Sequence, residues 1–214
     1  MKAPAVLALS AALTAAAACG AAPVEIGLDL PGLAALPAGA YGEIVVTDLA
    51  EPAPVPGFAA GTELSAYLAA ELGRSFPGRV SRAAGPAAAL AGQPPGAAWR
   101  EAGAGLDRAV FLTGTVTLAG RVRKAVDKAA PSDGPFKRTL VERMQWTMTV
   151  DLVFVSAATG EAVHRTSLSE EREYTELDKP VEFAFSDLSQ RVRDRLLPAL
   201  LGTTTLERRA LLRR

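Results

Sequence analysis

Few residues in this 214-residue chain are suited to catalysis. There is one histidine, His164, so a Ser-His-Asp triad or a histidine zinc site would have to use it. It stands beside Arg165 in an alternating stretch, which is typical of a half-exposed strand position. The motifs G-x-S-x-G, S-x-x-K, G-x-x-x-x-G-K-[ST] and G-x-G-x-x-G do not occur. The sequence therefore predicts a protein that is not an enzyme. A hydrolase with an unfamiliar site that depends on His164 is the alternative.

The stretch SEEREY (169–174) gathers three carboxylates. Paired carboxylates can perform acid–base catalysis or bind calcium, but a calcium loop needs more oxygen ligands and a turn glycine. On a strand, Glu170 and Glu171 point to opposite faces of the sheet. We therefore interpret SEEREY as a solvated sheet edge, and we predict neither a metal nor a cofactor.

Basic residues are concentrated around the stretch GRVRKAV (120–126) and the loop that follows it. Strand alternation places Arg121 and Arg123 on one face. Such a group can bind lipid phosphates, a glycan or an acidic partner. We predict a partner-binding surface formed by Arg121, Arg123, Lys124, Lys137 and Arg138. The alternative is a charged outer face that is balanced by Glu142 and Asp127.

The N-terminus has the pattern of a secretory signal. Lys2 is followed by an apolar run over residues 3–18, and Ala16, Ala17 and Ala18 stand directly before the only cysteine, Cys19. This arrangement resembles the bacterial lipobox, although Ala16 stands where that motif usually has leucine. The resemblance implies cleavage before Cys19 and attachment of acyl chains to it, which would anchor the protein to a membrane. Gly20 after the cysteine favours the outer membrane. The alternative is an ordinary signal peptide in which the cysteine is incidental.

Hydrophobic periodicity predicts an α+β fold with a mixed, largely antiparallel sheet of four to five strands. Two or three helices pack mainly on one face of that sheet. The predicted strands are 24–30, 43–49, 78–83, 109–126, 144–155 and 162–174, and the predicted helices are 61–76 and one that starts at Pro180 and is kinked or ended by Pro198. Residues 84–98 are predicted to form a loop or a frayed helix.

The same patterns suggest where the chain is divided. We predict a signal peptide over residues 1–18, the lipidated cysteine and an approach segment over 19–40, a single α+β domain over 41–202, and a basic C-terminal tail over 203–214.

Three phrases carry a resemblance to known families: the helix TELSAYLAAELGRSF, the strand DRAVFLTGTV and the hairpin DLVFVSAATGEAVHRTS. In this order they resemble the bacterial envelope superfamily that includes the N-terminal domain of TolB, the curli-secretion lipoprotein CsgG and the penicillin-binding-protein activator LpoB. The match spans roughly residues 43 to 200. The lipopolysaccharide-assembly lipoprotein LptE is a second resemblance, through the lipidated cysteine, the long hairpin and the phrase EREY.

Composition narrows the classes of partner. The chain has 23 basic and 23 acidic residues, so no net field attracts nucleic acid. We predict an outer-membrane lipoprotein that faces the periplasm and acts as an assembly or accessory factor by binding an envelope protein. An LptE-like role, in which the same basic residues bind lipopolysaccharide phosphates, is the alternative.

Overall fold

A computed structural model describes residues 24–31, 33–37, 39–126, 140–202 and 204–211, with only the backbone described for 24–31 and 204–211. The strands are β1 (Val24–Pro31), β2 (Glu43–Val46), β3 (Arg79–Arg82), β4 (Ala109–Val126), β5 (Leu140–Ser156), β6 (Ala162–Tyr174) and β7 (Thr204–Leu211). The helices are α1 (Ala60–Ser75), α2 (Ala97–Ala102) and α3 (Val181–Leu201), and a 3₁₀-helix spans Gly85–Leu90.

The main sheet has five strands in the order β3-β2-β4-β5-β6. β2 runs parallel to both β3 and β4, whereas β4, β5 and β6 form an antiparallel meander. The β4–β5 pairing extends from Val110↔Ser156 to Val126↔Leu140, far beyond the four residues that β2 contributes. The predicted α+β class with a mixed five-stranded sheet is confirmed.

The main core lies between one face of this sheet, here called the helix-side face, and the helices α1 and α3. Strand alternation puts even-numbered residues of β4 and β5 on this face, and the buried ones include Leu112, Val116, Met148 and Phe154. The apolar stripes of the two helices pack on them, as their 3.6-residue spacing predicts. The buried helix residues are Leu64, Leu68 and Leu72 in α1 and Phe185, Leu188, Val192, Leu196 and Leu200 in α3.

A smaller core lies on the opposite face of the sheet, here called the far face. Trp99 of α2 is fully buried there, and its ring centroid lies 5.3 Å from that of Phe111. The indole N–H donates a hydrogen bond to the carbonyl oxygen of Pro94, at 3.1 Å. Residues 84–98, predicted as a loop or frayed helix, therefore contain a 3₁₀-helix and the start of α2, because this segment covers an apolar patch of the sheet.

Gly114 shows why β4 needs glycine at its centre. Its φ is +148°, which L side chains rarely adopt, and a β-carbon there would lie 1.9 Å from the carbonyl oxygen of Asp151. Gly114 also accepts a hydrogen bond from the N–H of Ala50 through its carbonyl oxygen, at 3.0 Å. The backbone is therefore irregular at Gly114, while the β4–β5 register continues unbroken through it.

Pro198 does not end α3, which continues to Leu201. Leu196 and Leu200 on either side of the proline are buried in the main core. Their burial holds the last turn in place even though proline cannot donate the usual backbone hydrogen bond.

The chain divides into two compact units, of which Pro31–Thr204 contains the five-stranded sheet. In the other unit, β1 and β7 pair as a two-stranded sheet. The strand at 24–30 was predicted. The strand within the tail was not, because its alternation is interrupted by adjacent charged residues.

Candidate functional site

The distal part of the β4–β5 hairpin extends beyond the segment of β4 that pairs with β2. We call residues 119–126 of β4 and 140–147 of β5 the arm. Every arm residue of β4 is exposed except Ala125, which is half-buried. Of the described strands, β6 alone flanks the arm, and its pairing with β5 ends at Met144↔Tyr174.

The far face of the arm carries a hydrogen-bonded network centred on a buried amide. Gln145 is only 1% exposed. Its Oε1 accepts hydrogen bonds from Arg121 Nε at 2.8 Å and from Arg123 Nη1 at 3.3 Å. Its Nε2 donates to Glu171 Oε2 at 2.7 Å. Arg123 also forms an ion pair with Glu173 at 3.8 Å, so the network reaches across three strands.

Two arginines face each other directly within this network. Arg123 and Arg143 are register partners on β4 and β5. Like charges directly opposite in a sheet are destabilising. In addition, Arg143 Nε is buried without a hydrogen-bond partner. The opposed guanidinium groups would therefore be stabilised by an additional anionic group on the far face of the arm.

The helix-side face of the arm is apolar and lies outside the helical layer. Val122 is 53% exposed and Leu140 is 63% exposed, and Val126 is exposed beside Leu140. Met144 is half-buried between Val122 and Tyr174 in one row across the three strands. Lys124 and Glu142 form the next row toward the hairpin tip. The arm is therefore amphipathic, with one charged face and one largely apolar face.

A small aromatic cluster adjoins this apolar face where α3 begins. The rings of Tyr174 and Phe183 pack edge to face with centroids 5.9 Å apart, and the Lys179 ammonium lies 4.1 Å from the Phe183 centroid. Asp187 Oδ2 accepts a hydrogen bond from the Tyr174 hydroxyl at 3.1 Å and forms an ion pair with Arg172 Nε at 2.9 Å. Tyr174, Phe183, Asp187 and Arg172 line a cavity of about 320 Å³. Burial, followed by the charge of Asp187, raises the pKa of Tyr174 to about 12.

The carboxylates of SEEREY divide between the two faces, as predicted. Glu171 and Glu173 are exposed and belong to the far-face network. Glu170, however, is 5% exposed and forms an ion pair with Arg195 Nε of α3 at 2.9 Å. The interpretation of this stretch as wholly solvated is therefore wrong for Glu170, because α3 covers the helix-side face of β6.

The structure brings together only part of the predicted basic surface. Arg121 and Arg123 share the far face, whereas Lys124 lies on the helix-side face. Lys137, Arg138 and the predicted lipidation site Cys19 lie outside the described residues. Sequence reasoning missed Gln145 as the centre of the network. The signal available was its place directly opposite an arginine on the polar side of a clearly alternating strand.

The remaining candidates for chemistry do not assemble into a site. His164 is half-buried on β6 and lies 5.8 Å, centroid to centroid, from Phe154. Within the part of the chain that the structure describes, no group of three or more His, Cys, Asp or Glu side chains is placed to hold a metal ion. No helix there is long and apolar enough to cross a membrane.

Comparison with known proteins adds several distant structural similarities. No family model matches the chain, and no curated protein matches its sequence. The PelC dodecamer of Paraburkholderia phytofirmans is 14% identical with a TM-score of 0.43, and the match covers 83% of this chain and 96% of that one.

Two further solved structures are similar. A neuraminyllactose-binding hemagglutinin homolog from Helicobacter pylori is 12% identical with a TM-score of 0.41, covering 77% of this chain and 87% of that one. A minor lipoprotein from Acinetobacter baumannii is 13% identical with a TM-score of 0.33, covering 77% and 98%. The similar structures thus include a lipoprotein. Membership of the TolB, CsgG and LpoB superfamily stays a prediction, as does the resemblance to LptE.

Proposed function

We propose that this protein is a non-enzymatic lipoprotein of the outer membrane, anchored through acyl chains on Cys19, that binds an envelope protein with its arm. The observation that supports this proposal is the amphipathic arm. It projects exposed apolar side chains, Val122 and Leu140 foremost, on one face, while a charged network occupies the other. An apolar patch rimmed by charged groups is typical of a surface that binds another protein.

The distribution of charge supports a protein partner over lipopolysaccharide. In the LptE-like alternative, Arg121 and Arg123 bind lipid phosphates. Both guanidinium groups already donate to Gln145, and Arg123 is also paired with Glu173. The two carboxylates in the same network repel any anion, and they repel a phosphate monoester, which carries about −1.5 to −2 charge, more strongly than a single carboxylate. A protein surface can instead supply apolar contacts to Val122 together with a single carboxylate for the arginine pair.

Site-specific cross-linking in the native host tests the proposal. A photo-crosslinking amino acid is introduced in place of Val122 or Leu140 in the full chain, and adducts are identified by mass spectrometry from gently solubilised envelopes. The control position is Thr159, which is exposed in the β5–β6 turn at the opposite end of β5. We expect one protein adduct from both arm positions and none from Thr159.

Charge reversal sharpens the same experiment. Arg121→Glu combined with Arg123→Glu removes both donors to Gln145, and we expect the adduct yield at position 122 to fall at least tenfold. Arg165→Glu, at an exposed position elsewhere on β6, is the matched control. An unchanged yield in the double variant, or adducts with lipopolysaccharide alone, would contradict the proposal. The anchor is tested by whether Cys19→Ser releases the protein from the membrane fraction.

A further inference from the structure

Among the described residues, nothing pairs with the outer edge of β4 along the arm. Near the start of β4, backbone groups on this edge form hydrogen bonds with residues 47–50. The carbonyl oxygen of Leu112 accepts from Thr47 N–H at 2.9 Å, and Val116 N–H donates to Ala50 O at 2.9 Å. Backbone groups of even-numbered residues therefore point away from β5. Because a strand alternates regularly, the backbone N–H and C=O groups of five further residues also point away from β5: Leu118, Gly120, Val122, Lys124 and Val126. No other strand among the described residues pairs with β4 beyond Val116.

Cations line this free edge on both faces of the sheet. Arg121 and Arg123 lie on the far face and Lys124 on the helix-side face, and residues 117–126 contain no acidic residue. Arg121 donates to the amide of Gln145 and Lys124 has Glu142 as its register partner on β5, but neither cation has a carboxylate within ion-pair range among the described residues. A strand laid along this edge would place its alternating side chains beside cations above and below the sheet.

We propose that the partner binds by strand addition, with an extended acidic segment pairing with the β4 edge from Leu118 to Val126. This inference rests on the proposed function and specifies the chemistry of the partner. Main-chain hydrogen bonds to the outward-facing groups supply affinity, and the basic side chains select acidic residues. A carboxylate beside Arg123 would also relieve its opposition to Arg143.

The charges argue against a second copy of this chain as the added strand. Two β4 edges would place arginines opposite arginines. The edge strand β6 carries acidic residues, but Glu171 is already bonded to Gln145, Glu173 to Arg123 and Glu170 to Arg195. A neighbouring β4 would have to draw these carboxylates away from contacts that they already make, whereas a separate acidic segment leaves those contacts intact. The cations thus prevent self-association through the edge while admitting an acidic strand.

The test uses the full chain and a nine-residue fluorescent peptide of alternating valine and glutamate. We expect saturable binding by fluorescence anisotropy that weakens at least tenfold between about 50 mM and 500 mM salt, because screening shortens the reach of the cations. A peptide with lysine in place of glutamate is the control and should not bind. Hydrogen exchange at Gly120, Val122 and Lys124 should slow at least tenfold at saturating acidic peptide.

Two substitutions at one position separate strand addition from simple charge attraction. Val122→Pro removes an outward-facing N–H without touching the pairing to β5, and we expect it to abolish binding. Val122→Thr keeps both the N–H and the preference for a strand but gives up part of the apolar contact, so we expect it to lose far less binding than Val122→Pro does. Lys124→Glu should weaken binding at least tenfold, and Arg165→Glu should leave it unchanged.

Several outcomes overturn the proposal. These are no binding of the acidic peptide at 50 mM salt, equal binding by Val122→Pro, or unchanged exchange at the three edge amides. If Val122→Pro does not fold, the exchange data of the unaltered chain decide. Self-association that the peptide displaces would assign the edge to a second copy and overturn the foreign partner. An arm adduct in the host with no effect of Val122→Pro keeps the proposed function and removes only strand addition.

Discussion

The indole ring of Trp146 lies against Gly120, its register partner on β4. A β-carbon at position 120 would be 3.0 Å from three carbon atoms of that ring, closer than ordinary van der Waals contact. The glycine therefore provides the space in which the large side chain lies flat on the neighbouring strand. In return the ring covers a strand position that has no side chain of its own, which compensates for the weakness of glycine in a strand.

Filling this space should displace the indole. We expect Gly120→Val to lower the free energy of unfolding by about 1–3 kcal/mol, as overpacking does. Trp146 should also become more accessible to the quencher iodide in tryptophan fluorescence. Ala119→Val is the matched control, because it adds bulk at the adjacent exposed position on the other face. Equal quenching in the two variants would contradict the packing described here.

Gln145 should be the most sensitive position of the far-face network. Gln145→Leu keeps the volume but removes the acceptor for Arg121 and the donor to Glu171, so these charged groups lose their hydrogen bonds to a buried amide. We expect a loss of about 1–3 kcal/mol in unfolding free energy, measured with urea. Thr149→Val removes a hydroxyl contact of 3.5 Å at the surface and should cost less than 0.5 kcal/mol, as roughly expected for surface positions. A cost for Gln145→Leu as small as this control would show that the network does not contribute to stability.

The buried carboxylate of Glu170 should depend on its one cation. Arg195→Met removes the cation but leaves Glu170 covered by α3, so we expect destabilisation by about 1–3 kcal/mol. Adding Glu170→Met to Arg195→Met should restore most of the loss, because the unpaired charge is then gone. Arg191→Met on the same helix is the control. If the double variant does not regain the lost stability, Arg195 acts through packing rather than through its charge.

The raised pKa of Tyr174 predicts that the free energy of unfolding decreases at alkaline pH. The folded state holds the phenol proton more tightly than the unfolded chain, whose tyrosines titrate near 10. The contribution of the raised Tyr174 pKa to the free energy of unfolding is therefore complete below about pH 10, and it is lost as the pH rises toward about 12. Urea unfolding at pH 9 and pH 11 should show a smaller decrease for Tyr174→Phe than for the unaltered chain.

A second variant assigns the cause of that shift. Asp187→Asn removes the negative charge beside the phenol, so the pKa of Tyr174 should decrease in absorbance titrations of tyrosinate. The unfolding free energy of Tyr174→Phe would change with pH as that of the unaltered chain does only if the pKa of Tyr174 were the same in the folded and unfolded states. That result would contradict the description of the cluster.

Local sequence patterns determined most of the elements and the faces they bury. The sequence shows an alternation of apolar residues from Trp146 to Phe154, and these residues form the core face of β5; the leucine spacing of α1 likewise matches its buried stripe. These features depend on periods of 2 and 3.6 residues, which are visible within a dozen positions. The segregation of Arg121 and Arg123 from Val122 was predictable for the same reason. Even the hairpin turn follows from its glycine, Gly160, which has φ of +72°.

Only the tertiary structure decided which residues meet across the chain. Gln145 joins Arg121 to Glu171 because three strands align in one register, and Glu170 is buried because α3 packs over β6. The unpaired β4 edge exists because β2 is short while β4 is long, which is a property of the pairing rather than of either segment. Sequence alone specifies the period and face of each strand, whereas register and neighbours are set by the packing free energy of the whole sheet.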